Sequence, residues 1–199
     1  WSSLCGDLCA LQFMGIGTSN SDPRYMIAGG PDVCTWVKDA SSIWSSPGTL
    51  YGDGGRCEMS NQNKDYKYAT VMGDISMYYS TGGSFTSSGK QLNKADGIIT
   101  LDPNNKEILY IDEKDPLSTW NTQKISKSIT HGSSWSTFVN DGAGINCNLS
   151  ICPSNPNIMI KSNWDIWQSN FGNVFKSING GSTWNDISPA INAISSTLL

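Results

Sequence analysis

The chain has 199 residues, enough for one domain with a sizeable hydrophobic core. Its net charge is −4 and its two arginines, Arg24 and Arg56, belong to no basic cluster, so binding to nucleic acid phosphates is poorly supported. Abundant Gly, Ser, Asn and aromatic residues are typical of an all-β secreted or surface protein, and the longest apolar run, near 10–16, is too short to span a membrane.

The first part of the chain predicts a single strand followed by a full unit of four strands. Trp1-Ser2-Ser3-Leu4 is similar to Trp135-Ser136-Thr137-Phe138, and we interpret it as the last strand of a preceding unit. The unit that follows is predicted to have strands at 10–15, 24–28, 41–44 and 49–51. Ser45-Ser46-Pro47-Gly48 would form the turn before its last strand.

Three more units of four strands follow, each with turn residues at steady intervals. The second unit is predicted to have strands at 57–60, 66–71, 75–80 and 85–87. The third is predicted at 97–101, 107–111, 124–128 and 135–139, and the fourth at 146–151, 157–161, 173–177 and 184–187. Pro and Asn at 102–105 and 153–157 mark the first turn of the last two units. The apolar tail, 190–199, predicts a further first strand.

One turn recurs before the last strand of these three units. It comprises Tyr79-Ser80-Thr81-Gly82-Gly83-Ser84-Phe85, then Lys127-Ser128-Ile129-Thr130-His131-Gly132-Ser133-Ser134-Trp135, then Phe175-Lys176-Ser177-Ile178-Asn179-Gly180-Gly181-Ser182-Thr183-Trp184. Aligned on Gly83, Gly132 and Gly181, the copies are 49 residues apart. Equal spacing of this length indicates a repeat architecture.

The pattern Ser177-x-Asn179-x-Gly181-x-Thr183-Trp184 resembles the Asp-box, or BNR repeat, of the form Ser-x-Asp-x-Gly-x-Thr-Trp. Asn179 and Thr130 stand where the box has aspartate, and the copy at 79–85 lacks the tryptophan. The resemblance implies a β-propeller, since this turn decorates blades in sialidases, xyloglucan-cleaving endoglucanases, sortilin-type receptors and photosystem assembly factors. Because the box is a structural feature shared by unrelated activities, it does not select one function.

We therefore predict an all-β fold, a β-propeller of four-stranded antiparallel blades. Approximate blades are 5–55, 56–90, 91–140 and 141–189, with 1–4 and 190–199 as strands of flanking or closing blades. We expect an excerpt of a larger propeller; a closed ring of four blades is the alternative. The expected structural residues are Ser128, Thr130, Gly132, Trp135, Ser177, Asn179, Gly181 and Trp184, with both tryptophans filling the space between blades.

Six cysteines occur as near neighbours: Cys5 and Cys9, Cys34 and Cys57, Cys147 and Cys152. An even count in such a chain favours disulfides and an oxidising compartment, although the sequence alone allows fifteen pairings. We favour pairing within each couple, since each lies in one proposed blade or blade junction. Zinc is not expected, because no CxxC is present and the only histidine, His131, lies in a box turn. Asn148-Leu149-Ser150 is a single glycosylation sequon.

The loops between second and third strands are the candidate binding surface. The long ones combine tryptophan with carboxylates, the chemistry that stacks on sugar rings and accepts hydrogen bonds from hydroxyls. The ligand-binding candidates are Asp32, Trp36, Asp74, Asp112, Asp115, Trp120, Trp164, Asp165 and Trp167. The alternative is that the tryptophans cap the blade cores while the acids are simply solvated.

Non-catalytic binding of a glycan or protein through this loop face, at an extracellular or cell-surface location, is the predicted function. The alternative is part of a glycoside hydrolase with paired carboxylates, although no catalytic residue can be assigned. A sialidase site is disfavoured, since two arginines cannot form an arginine triad, and His131 lacks a nucleophile motif nearby. No cofactor, metal, nucleic acid or membrane span is expected. The expected partners are a glycan or protein ligand and the remainder of a larger propeller.

Overall fold

The computed structural model describes residues 13–73, 76–92, 98–113, 122–143, 145–164 and 172–191. Sixteen strands in these residues form four antiparallel sheets of four strands each. Blade 1 comprises β1 (Gly15–Thr18), β2 (Met26–Gly30), β3 (Cys34–Lys38) and β4 (Trp44–Ser45). Blade 2 comprises β5 (Gly54–Met59), β6 (Tyr66–Val71), β7 (Ser76–Thr81) and β8 (Thr86–Gln91). Blade 3 comprises β9 (Ile99–Leu101), β10 (Leu109–Asp112), β11 (Thr122–Ser128) and β12 (Ser136–Ala143). Blade 4 comprises β13 (Ile145–Ile151), β14 (Met159–Trp164), β15 (Val174–Ser177) and β16 (Asn185–Asp186).

Within each blade the strands are adjacent in chain order. This up-and-down order follows from the short turns, because neighbouring antiparallel strands need only a few residues to connect them. The all-β prediction of four-stranded antiparallel blades is therefore confirmed.

The turn between the first and second strands keeps the same register in all four blades, since Thr18, Met59, Leu101 and Ile151 each pair with the residue eight positions further on. In blade 2 the Tyr66 amide donates to the Asn63 carbonyl at 3.1 Å, and in blade 3 Ile108 donates to Asn105 at 3.0 Å. Asp102 closes its turn with one carboxylate oxygen, which accepts from the Asn104 amide at 2.8 Å. The Asn and Asp residues at these positions form such turns because their short side chains bond to nearby backbone amides.

The hydrophobic core lies between the blades. One cluster joins Ile27 of blade 1 to Cys57 and Met59 of blade 2. A second joins blade 2 to blade 3, and a third joins Tyr110 of blade 3 to Leu149 of blade 4. Adjacent blades thus bury their facing surfaces against each other, as expected for a repeat architecture.

Two positions that are buried between neighbouring blades are also apolar on the outer faces of the first and last blades, where they are exposed. One position lies two residues before the first strand ends; it is buried in Cys57, Ile99 and Leu149, whereas Ile16 of blade 1 is 52% exposed. The other lies nine residues after that strand ends; it is buried in Ile27, Tyr68 and Tyr110, whereas Ile160 of blade 4 is 43% exposed. The difference arises because the described residues include no neighbour at either face.

Polar side chains also link successive first turns. The Gln62 amide donates to the Pro103 carbonyl at 3.1 Å and accepts from the Lys106 backbone amide at 3.1 Å. Asn104 repeats the first of these bonds toward Pro153 at 3.0 Å. Pro156 stands where Lys106 would be in the next blade, and proline has no N–H to provide the second bond.

Blade 1 differs most from the sequence expectation. The third strand was expected at 41–44, but β3 lies at Cys34–Lys38 and pairs with β2 from Met26 to Gly30. The last turn is at 39–43, where Asp39 accepts from the Ser41 amide at 2.8 Å, so Ser45-Ser46-Pro47-Gly48 is not that turn. The hairpin was predicted in the wrong place because the residues at 29–32 and at 45–48 are both typical of turns.

Both ends of the chain lie largely outside the described residues. The expected strand at 1–4 and most of the expected strand at 190–199 lie outside the described residues. Residues 190 and 191, which are described, belong to a single helical turn at 188–191. The Ser188 backbone amide donates to Asp186 Oδ1 at 2.8 Å, which caps the start of this turn. In the described part of the chain, no helix has the length and apolarity needed to cross a bilayer.

The cysteines that are described carry free thiols. The expected Cys34–Cys57 disulfide is absent, and Cys152 is also a free thiol. Cys57 is fully buried in the contact with blade 1, and this burial raises the pKa of its thiol well above the ordinary value. Cys5 and Cys9 lie outside the described residues, as does the side chain of Cys147.

Candidate functional site

The turn before the last strand is built around one buried serine in blades 3 and 4. Ser177 Oγ accepts the backbone amides of Asn179 at 3.3 Å and Gly181 at 2.9 Å. Ser128 Oγ likewise accepts from Thr130 at 3.1 Å and Gly132 at 2.9 Å. The side chains of Asn179 and Thr130 complete each turn by accepting the amide four residues further on.

Blade 2 uses a shorter version of this turn. Ser80 Oγ accepts the Gly82 amide at 3.3 Å and donates to the Gly83 carbonyl at 2.7 Å. Gly82 has a φ of 109°, a value that glycine adopts without a steric penalty. Ser80, rather than Gly83, is therefore the residue that aligns this copy with Ser128 and Ser177.

The tryptophans of these turns pack between blades. Trp135 lies against the cluster shared by blades 2 and 3, and its indole Nε1 donates to the Gly132 carbonyl at 2.9 Å. Trp184 lies against the cluster shared by blades 3 and 4. The turn residues therefore serve packing, and none of these contacts resembles a ligand site.

The opposite edge of the blades carries a different set of side chains. Asp32 lies in the tight turn between β2 and β3, is exposed, and has a φ of 61°. Its backbone amide donates to Asp53 Oδ1 at 2.9 Å, which brings the turn against the connection from blade 1 to blade 2. Tyr51, two residues before Asp53, is 81% exposed. We call this region, which comprises Asp32, Tyr51 and Asp53, the loop-face corner.

Sequence reasoning identified Asp32 but missed Tyr51 and Asp53. Residues 49–51 were interpreted as a strand, whereas they belong to the connection between blades. The sequence Gly52-Asp53-Gly54 after Tyr51 was the available signal for a loop, since Asp and Gly are frequent in loops.

Two other candidates are less accessible than expected. Trp36 belongs to strand β3, not to a loop, and its indole donates to the Val33 carbonyl, so it closes the β2–β3 turn. Asp112 is buried, and its carboxylate accepts the Ile98 backbone amide at 2.8 Å. Both side chains therefore support the local structure of their own blades.

A buried ion-pair cluster lies beside Asp112. The Glu113 carboxylate forms salt bridges with Lys90 Nζ at 2.5 Å and with Lys124 Nζ at 3.3 Å. The Ser126 hydroxyl donates to the same carboxylate. Burial acts to raise the pKa of Glu113, but the bonds from Lys90 and Ser126 outweigh it, and the pKa is below its ordinary value. Since Lys90 is the penultimate residue of β8, the outer strand of blade 2, the cluster ties that blade to blade 3.

The remaining candidates cannot be placed. Trp164 is the last residue of β14, although its side chain is outside the description. The candidates outside the described residues are Asp74, Asp115, Trp120, Asp165 and Trp167. Among the residues that are described, no group of three or more His, Cys, Asp or Glu side chains could hold a metal ion.

Comparison with known proteins gives the fold. The chain superposes on a GH74 enzyme from Niastella koreensis with a TM-score of 0.65 and 21% identity, covering 88% of this chain and 24% of that one. The GH74 xyloglucanase from Xanthomonas campestris gives a TM-score of 0.62 at 14% identity, covering 92% and 30%. An ancestral GH74 enzyme gives a TM-score of 0.66 at 15% identity, covering 88% and 24%. The fold is that of β-propeller blades.

These similarities extend to architecture and no further. Identities of 14–21% show a shared fold, and folds host many unrelated activities. The chain spans 24–30% of the length of these GH74 proteins. No family model matches the sequence, and no curated protein is significantly similar to it.

Proposed function

We propose that this chain is a segment of a larger, secreted β-propeller that binds polysaccharide without cleaving it. The observation that carries the proposal is the loop-face corner, where Tyr51 is 81% exposed two residues before Asp53, whose carboxylate binds the backbone of the Asp32 turn. An exposed aromatic ring stacks on the apolar face of a sugar, and carboxylates accept its hydroxyl hydrogens. The similarity of the fold to enzymes that include a xyloglucanase makes a β-glucan the first ligand to test.

The larger propeller is supported by the exposed apolar positions Ile16 and Ile160 at the two outer faces. In the remaining blades the residues equivalent to Ile16 and Ile160 are buried against a neighbouring blade. We further propose that the turns at Ser128 and Ser177 are Asp-box turns, because their serine and glycine contacts follow the box spacing.

Affinity electrophoresis in xyloglucan, with isothermal titration of its oligosaccharides, tests the binding site. Replacing Tyr51 with Ala should weaken binding about tenfold, which corresponds to loss of about 1.4 kcal/mol of stacking. Asp32→Asn should weaken it less, because the amide still accepts hydrogen bonds. Asp65→Asn, at the opposite edge of blade 2, is the matched control and should bind like the parent chain.

Unchanged affinity in Tyr51→Ala would reject the loop-face corner as the site. The loop candidates Asp74, Asp115, Trp120, Trp164, Asp165 and Trp167 would then be the next positions to substitute.

Glycoside hydrolysis is a second candidate, favoured by the fold and by the presence of two acids, Asp32 and Asp53, in adjoining loops. Both glycosidase mechanisms need two carboxyl groups, one of which acts as general acid. Release of reducing ends from xyloglucan that disappears in both Asp32→Asn and Asp53→Asn would establish catalysis. Binding without release of reducing ends would support the non-catalytic function.

A further inference from the structure

A polar cavity of about 380 Å³ lies where the first strands of blades 2, 3 and 4 converge. This volume is within the range of small-molecule sites. Its polar lining comes from three blades and includes Arg56, Glu58, Asn61, Thr100, Asn148 and Ser150. It is distinct from the loop-face corner, since neither Asp32, Asp53 nor Tyr51 contributes to the lining.

Arg56 provides the positive charge in this cavity. Its Nη1 lies 3.4 Å from the Met14 carbonyl, while its Nε is buried and has no hydrogen-bond partner in the described part of the chain. A buried donor without a partner costs free energy, so a guanidinium held in this way favours a ligand that supplies an acceptor. Carboxylates match the fork of donors on an arginine.

Glu58 lies two residues from Arg56 on the same strand. Burial raises the pKa of Glu58 to about 7, and the nearby Arg56 charge offsets only part of this rise. Asp102, at the end of β9, also lines the cavity, but its carboxylate is engaged by the amides of its own turn. The lining residues that β13 contributes are not ionisable. On the neighbouring strand β6, Tyr68 lies opposite Glu58 in the strand register. Asp102 keeps its own charge, but no salt bridge joins it or any other described carboxylate to Arg56, and at slightly acidic pH Glu58 is largely protonated. Arg56 is therefore left without an ion-pair partner in the described part of the chain.

We propose that this cavity binds a sugar carboxylate, such as a uronic acid. Arg56 binds the carboxylate, the protonated Glu58 donates a further hydrogen bond, and Asn148, Ser150 and Thr100 meet the ring hydroxyls. Ionisation of Glu58 at higher pH would neutralise Arg56 and weaken binding.

Isothermal titration with D-glucuronate and D-glucose tests the proposal, with both sugars measured at pH 6.0 and pH 8.5. Glucuronate should bind at least about tenfold more tightly than glucose at pH 6.0, and this preference should shrink at pH 8.5. Arg56→Gln should abolish the preference. Glu58→Gln should still prefer glucuronate, but this preference should no longer change between pH 6.0 and pH 8.5. If Glu58 had only a structural role, its replacement would not remove the pH dependence selectively.

Equal affinity for glucose and glucuronate in the parent chain, or no binding of either, would overturn the proposal without any variant. Asp65→Asn is again the control, and circular dichroism of Arg56→Gln establishes that the variant is folded. Because xyloglucan binding at the loop-face corner is measured separately, failure of the cavity proposal leaves the other proposal intact.

Discussion

Blades 1 and 2 pack with their backbones in close contact at glycine residues, whereas large side chains fill the junction between blades 3 and 4. A Cβ atom added to Gly17 would lie 2.7 Å from the backbone of Glu58 and Met59, and one added to Gly29 would lie 2.5 Å from the Gly55 carbonyl oxygen. In the other junction, the rings of Tyr110 and Phe138 are 4.8 Å apart and Trp184 packs against the same cluster.

The comparison indicates that one blade architecture accepts two ways of closing the space between sheets. Blades 3 and 4 each have a turn that carries a tryptophan, and that ring fills the gap toward the preceding blade. Blade 2 has no such tryptophan, and glycines allow β1 and β2 to approach β5 directly. Close packing is needed in both cases, because a void loses dispersion contacts.

The largest effect is expected from Gly17→Ala, which would break the glycine junction. Backbone atoms of Glu58 and Met59 must move to admit the methyl group, so the free energy of unfolding should fall by about 3 kcal/mol. Gly73→Ala is the matched control, since nothing lies within 4 Å of its added Cβ, and should change stability little. Urea unfolding measures both; equal stability of the two variants would mean that blades 1 and 2 do not pack this closely.

Trp184→Ala tests the aromatic junction. Because the ring is only half-buried, the free energy of unfolding should fall by about 2 kcal/mol, less than for a fully buried tryptophan. Trp44, which is exposed at the edge of blade 1, provides a matched tryptophan whose replacement should cost less than about 1 kcal/mol. If Trp44→Ala proved the more damaging variant, the assignment of Trp184 to the junction would be wrong.

Ser177→Ala removes the acceptor at the centre of the last turn. Two backbone amides, of Asn179 and Gly181, then lose their bond, and the expected loss is about 1–2 kcal/mol. Thermal unfolding should show this as a fall in Tm of about 2–8 °C, whereas the exposed Ser84→Ala should leave Tm nearly unchanged. An unaltered Tm in Ser177→Ala would show that the turn does not depend on its serine.

How much the sequence predicts depends on where the determining contacts lie. The turns in blades 3 and 4 were predictable, because a serine, a glycine and a tryptophan at fixed spacing specify local hydrogen bonds. The glycine junction was not, since the need for Gly17 arises from a strand more than 35 residues away. Strand β3 was missed because Gly-Gly-Pro-Asp before it and Ser-Ser-Pro-Gly after it both read as loops.

The same limit applies to the candidate site. Asp32 was found from its turn residues, but its contact with Asp53 joins two segments that only the packing of blade 1 on blade 2 brings together. Asp112 looked like a loop acid, yet the return of the chain to Ile98 buries it. In both cases the local sequence identifies an acid near a turn, but contacts with distant segments determine whether its carboxylate is exposed.

The smallest expected effect concerns the middle junction, between blades 2 and 3. His131 Nδ1 lies 2.8 Å from Glu107 Oε2, and Tyr66 donates to the other oxygen at 3.0 Å. The bond with His131 lowers the pKa of Glu107, so its contribution to stability is present above the ordinary pKa and is lost as the pH falls through the lowered one. Glu107→Gln should therefore be less stable than the parent chain above the ordinary glutamate pKa, and the two should converge as the pH falls below it. Since the pair is partly exposed, the difference should stay below about 1 kcal/mol, and parallel pH profiles would contradict the assignment.

The central claim, that consecutive blades pack face to face through these two kinds of junction, is tested most directly by nuclear Overhauser effects in the labelled chain. We predict cross-peaks between the Gly15 α-protons and the Cys57 amide, and between the Gly181 α-protons and the Phe138 ring, because these groups are in direct contact. Absence of both cross-peaks, in a sample that shows the β6–β7 and β14–β15 strand pairing, would mean that the blades fold but do not stack as described.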